Sequence, residues 1–149
     1  MKNKILFTSI FLLMAGFSFG QMIDVLKLDD SEVPAGYSKA DKLQCVTPNA
    51  SAIYEKPDLY EKSLGKITKK DFQSFGKRGD KGTILYFEFD KDFSGQEYLE
   101  GLLWGSATKP NEYDPEDYYA KGNILVIWSF KQNSLLAKAS MAKVKGRLD

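Results

Sequence analysis

The stretch NEYDPEDYY (111–119) sets Glu112, Asp114, Glu116 and Asp117 among Tyr113, Tyr118 and Tyr119. Four clustered carboxylates are the raw material of a hard-cation site, because calcium takes six to eight oxygen ligands. The spacing does not follow the EF-hand pattern, so no known calcium loop supports that site. The three tyrosines, with Trp104 close by in sequence, offer a second chemistry. They would form an aromatic face for a glycan or a protein partner, since rings with a polar tip suit interfaces.

A purely structural account competes with both readings. Asp114 would cap a helix with Pro115 in its first position. Glu116 and Asp117 would then sit where the helix dipole favours negative charge. Lys121 and Gly122 would close the turn, so a short helix over 114–122 would explain nearly every charge.

Acid–base chemistry has few other carriers. The chain has no histidine, which excludes Ser-His-Asp and Cys-His arrangements and removes the commonest metal ligand. Carboxylates remain, and a small hydrolase needs two of them in different environments. Glu88, set in the otherwise apolar GTILYFEFD (82–90), is the candidate catalytic group, with Asp90, Asp92 or Glu97 as its partner. The single Cys45, between Leu43 and Val46, reads as a small core residue rather than a reactive thiol. Arg78-Gly79-Asp80 matches a short adhesion tripeptide, but FGKRGDKGT is also what a connecting turn looks like. Asn49-Ala50-Ser51 fits the N-glycosylation pattern, which is idle in a bacterial export context.

These residues need elements to hold them. Segment 82–90 predicts a strand with Leu85, Phe87 and Phe89 on one face and Ile84, Tyr86 and Glu88 on the other. SGQEYLEGLLWG (94–105) predicts a helix, with a capping box from Ser94 and Glu97 and a stop at Gly105. NILVIWSF (123–130), apolar on both faces, predicts a central strand. A final helix would start at Asn133 or Ser134 and bury Leu135, Leu136, Ala139, Ala142 and Val144. Pro57 to Leu64 predicts a short helical piece stopped by Gly65. Residues 21–57 read as loop-rich, with turns at Val33–Tyr37 and a break at Thr47-Pro48-Asn49. The expected fold is α+β: a small, mostly antiparallel sheet with two or three helices on one face. A parallel pairing of 82–90 with 123–130 would follow if the segment between them were a crossover.

The N-terminus indicates where the chain is sent. Lys2 and Lys4 precede an apolar run from Ile5 to Phe17, and Ala15, Gly16, Ser18 and Gly20 supply small residues at and after its end. This is the pattern of a secretory signal, here residues 1–20, with cleavage expected between Gly20 and Gln21. The apolar run falls short of the roughly 20 residues a bilayer span needs. The SFGQ ending resembles that of many exported proteins of Gram-negative bacteria, a resemblance confined to the signal. The expected product is one domain, 21–149, secreted or periplasmic and not integral to a membrane. Loss of Lys2 and Lys4 takes the formal charge from +1 to −1, and such a balance argues against a nucleic-acid partner. The functional expectation is a non-catalytic domain that binds a protein or glycan partner. A Glu88-centred hydrolase is the alternative.

Overall fold

The structure is a computed structural model that describes residues 21–149; the signal reading of 1–20 lies outside the described residues. In chain order the elements are α1 (Gln21–Leu26), β1 (Ser38–Ala40), α2 (Pro48–Glu55), a 3-10 turn (Pro57–Tyr60) and α3 (Glu61–Leu64). There follow β2 (Ile67–Lys77), β3 (Asp80–Phe89), α4 (Gln96–Trp104), β4 (Asp117–Lys121), β5 (Ile124–Ser129) and α5 (Leu135–Leu148). The strands form a single five-stranded sheet in the order β1-β2-β3-β5-β4, and every pairing is antiparallel. The α+β class and the antiparallel sheet are therefore as expected. The 82–90 and 123–130 strands pair antiparallel as well, so no crossover joins them.

The helices are more numerous than expected, and they cover both faces of the sheet. The alternation along β3 and β5 accounts for this. Ile84, Tyr86, Ile124, Val126 and Trp128 pack with Ile23 and Leu26 of α1 and Leu136, Ala137 and Val144 of α5. Leu85, Phe87, Phe89, Leu125 and Ile127 point the other way. They pack with Ile53 of α2, Leu64 of α3, and Leu99, Leu103 and Trp104 of α4. Two inner strands that are apolar on both faces need a cover on both.

Several local readings shift with this architecture. β4 occupies 117–121, where a capped helix was expected, because Tyr118, Tyr119 and Ala120 pair with β5 across a two-residue turn. Gly122 begins that turn at φ 57, the positive angle a type II′ hairpin requires at its first position. α4 starts one residue after Gly95, with no side-chain cap, so the Ser94–Glu97 box does not form. Pro48 opens α2 instead of ending an element, in the first-turn position that suits proline. In α5, Ser134 does cap the helix, its Oγ accepting from the Ala137 N–H. The buried stripe of α5 is Leu136, Ala137, Ser140 and Val144, and Leu135 is left 55% exposed. Gly82 is fixed by crowding: a Cβ there would lie 2.2 Å from the Ser129 carbonyl oxygen. Among the described residues no helix is long and apolar enough to cross a membrane.

Candidate functional site

The segment from α4 to β4 is a loop pinned at its centre. Asn111 Oδ1 accepts from the N–H groups of Tyr113, at 2.9 Å, and Asp114, at 3.0 Å. The Asn111 N–H in turn donates to the Asp114 carbonyl at 3.0 Å. Pro110 and Pro115 flank this turn and restrict the backbone further. Trp104 Nε1 anchors the far end by donating to the Glu116 carbonyl at 2.7 Å. The loop thus has a defined shape without regular structure.

On this frame the four carboxylates diverge. Glu112 is exposed and Asp114 half-buried. Glu116 is completely buried, its Oε1 accepting from the Thr47 hydroxyl. Asp117 projects to the opposite face, where it lines a cleft with Trp128, Ala137 and Met141. Burial raises its pKa, and the Tyr118 N–H and Lys145 act against that rise. Among the described residues no group of three or more acidic, cysteine or histidine side chains is gathered to hold a metal ion.

The aromatic residues separate in the same way. Trp104 is buried and lies against Tyr118, ring centroids 5.8 Å apart, and the Tyr118 hydroxyl donates to Glu100 at 2.7 Å. Burial and that carboxylate raise the Tyr118 pKa. Tyr119 faces the α5 side, where its hydroxyl donates to Asp149 and Lys145 sits 5.5 Å over its ring. Tyr113 alone stands in solvent, 87% exposed at the tip of the pinned loop.

Glu88 lies on the α1 and α5 side of β3, 5% exposed. Its suggested partners Asp90, Asp92 and Glu97 are all exposed. Asp90 and Asp92 line a shallow cleft with Glu61, Lys62 and Lys91, and Glu88 is not part of that lining. The Arg78–Gly79 pair forms the β2–β3 turn, as expected. Asp80 is buried there, its Oδ2 accepting from the Tyr37 hydroxyl and from Ser134 Oγ at 2.9 Å. A tripeptide whose carboxylate is turned inward cannot be read by an adhesion receptor.

The cleft beside Asp117 is lined by Pro110 and Pro115, the two prolines that flank the turn carrying Tyr113. It holds about 280 Å³ between Pro110, Pro115 and the start of α5. Its lining mixes the apolar Trp128, Phe130 and Met141 with the polar Asp117, Lys131 and Lys138. Leu135, which follows Ser134 of that lining in the first turn of α5, is an exposed apolar side chain. Sequence reading missed this grouping because it counted Leu135 as core. The useful signal was the Leu136, Ser140, Val144 spacing, which turns Leu135 outward.

Comparison with protein-family models, with characterised proteins and with solved structures gives no match.

Proposed function

We propose that this chain is an exported, non-catalytic binding domain, acting in the periplasm or at the cell surface. Its binding face joins the cleft between the 110–117 loop and α5 to the exposed side chains of Tyr113 on that loop and Leu135 at the start of α5. The partner is a protein or glycan that offers an apolar or ring surface to Tyr113. One observation carries this reading: Tyr113 is held in solvent by a backbone whose hydrogen bonds are already made. A large side chain on a prearranged loop loses little entropy on binding. Tyrosine is also among the residues that dominate interface energies.

The test is binding of the labelled chain to envelope material from its own cells, with titrations of the wild type and of Tyr113→Ala. The substitution removes only an exposed ring, so the fold should be unaffected. An interface anchor is worth about 2 kcal/mol or more, so the dissociation constant should rise at least about tenfold. Equal affinities for the two proteins would refute the assignment.

A further inference from the structure

A row of buried hydroxyls crosses one end of the sheet on its α4 face. Ser74, Thr83 and Ser129 are cross-strand neighbours on β2, β3 and β5, each exposed by 2% or less. Glu116, just before the Asp117–Trp128 pair, extends the row beyond Ser129 with its fully buried carboxyl. Residues 44–47 lie across this row as a strap. The Gln44 N–H donates to Thr83 Oγ1 at 2.7 Å, the Val46 N–H donates to Ser129 Oγ at 2.9 Å, and the Thr47 hydroxyl donates to Glu116 Oε1. Cys45, in the middle of the strap, faces Thr83, Ser129 and Glu116.

Among the described residues, Glu116 Oε2 is buried without a hydrogen-bond partner. The charged and titratable groups that face this site are Asp114 on the same loop, Cys45 on the strap, and Glu55 of α2 on the Cys45 side. All are acidic, so none compensates an anion at Glu116. A buried carboxylate with one unbonded oxygen and acidic neighbours costs much more than the neutral acid.

We propose that Glu116 is a proton-operated latch: as the neutral acid it holds the 44–47 strap on the hydroxyl row, and on ionising it releases the strap and frees Cys45, half-buried in the closed form, to solvent. The latch is independent of which partner occupies the Tyr113 face. Burial raises the Glu116 pKa, Ser129 and Thr47 oppose the rise, and Asp114 adds to it. In the open form Glu116 meets water and returns towards its ordinary value of 4.5. The closed form therefore holds its proton more tightly. Closure is most favoured below the ordinary value, and that advantage is lost as pH rises through the raised one. Across that window the open fraction grows by up to about tenfold per pH unit.

Cys45 reports the opening, since it is the chain's only cysteine and burial pushes its thiol up to about 11 while the strap is closed. The experiment measures alkylation of Cys45 in the full chain by N-ethylmaleimide from pH 4.5 to 8. Each rate is divided by that of a short cysteine peptide at the same pH, which removes the reagent's own dependence on thiolate. The wild-type ratio should climb with pH, by up to about tenfold per unit. Glu116→Gln, which keeps the shape and cannot ionise, should stay low and flat. Parallel profiles for the two proteins, or a wild-type ratio that does not change with pH, would overturn the latch. Thr47→Val supplies a second variant should the glutamine protein not fold. It should raise the ratio at pH 4.5 and keep the upward slope, and an unchanged ratio there counts against the proposal. In the wild type alone, the Gln44 and Val46 amides should lose hydrogen-exchange protection over the same pH range.

Discussion

At the residue scale, the acidic and aromatic cluster at 111–119 is dispersed by a single fact: its last three members belong to a strand. Alternation sends Asp117 and Tyr119 towards α5 and Tyr118 towards α4. Glu116 is sealed beside Ser129, while Glu112 and Tyr113 remain outside. The sequence shows these residues plainly, but period 2 divides what proximity in the chain suggests is together. Calcium binding requires carboxylates that converge. The melting temperature should therefore be the same in chelator and in millimolar calcium. A calcium-dependent rise that Asp114→Asn abolishes would show that the loop closes around the ion.

At the element scale, legibility followed composition. β3 and β5 could be read because β-branched and aromatic residues fill both faces. β2, the longest strand, could not, since ITKKDFQSFGK carries mostly polar residues and takes its place from pairing with β3 along its length. β4 was misread because Asp114-Pro115 imitates a helix start, and pairing with β5 outweighs that local signal. The N-terminal segment, which looked like loop, is tied to α5 by Lys143. Its ammonium donates to Glu32 at 2.5 Å and to the Lys27 carbonyl at 2.6 Å. The Lys143 hydrogen bond, with help from the Asp29 N–H, lowers the Glu32 pKa from 4.5 to about 2. A lowered carboxyl value stabilises the fold above the ordinary value, and that contribution is lost as pH falls from 4.5 towards 2. Thermal unfolding from pH 5 to 3 should thus show a steeper decline for the wild type than for Glu32→Gln. Identical slopes would mean that the tie does not form in solution.

At the scale of the whole molecule, one sheet carries two cores, and neither can lose its strands without exposing the other. Unfolding should then be a single cooperative event. The two tryptophans are placed to check this, because Trp104 lies in the α4-side core and Trp128 in the α5-side core. Trp104→Phe leaves a reporter on the α5 side, and Trp128→Phe leaves one on the α4 side. In each variant, the fluorescence transition in urea should coincide with that protein's own loss of far-ultraviolet dichroism. A fluorescence midpoint displaced from the dichroism midpoint would show that the faces unfold separately.

The binding account rests on a pinned loop that presents Tyr113, on a cleft lined by Pro110, Pro115 and the start of α5, and on Leu135 exposed in that helix's first turn. Its most direct test is site-specific photo-crosslinking in the producing cells. A photoreactive phenylalanine analogue is placed at position 113, at 135, and at 59, where Leu59 is 74% exposed on the 3-10 turn. The account expects one discrete adduct of the same mass increment from 113 and 135 and none from 59. No adduct from 113, or the same adducts from all three positions, would contradict it.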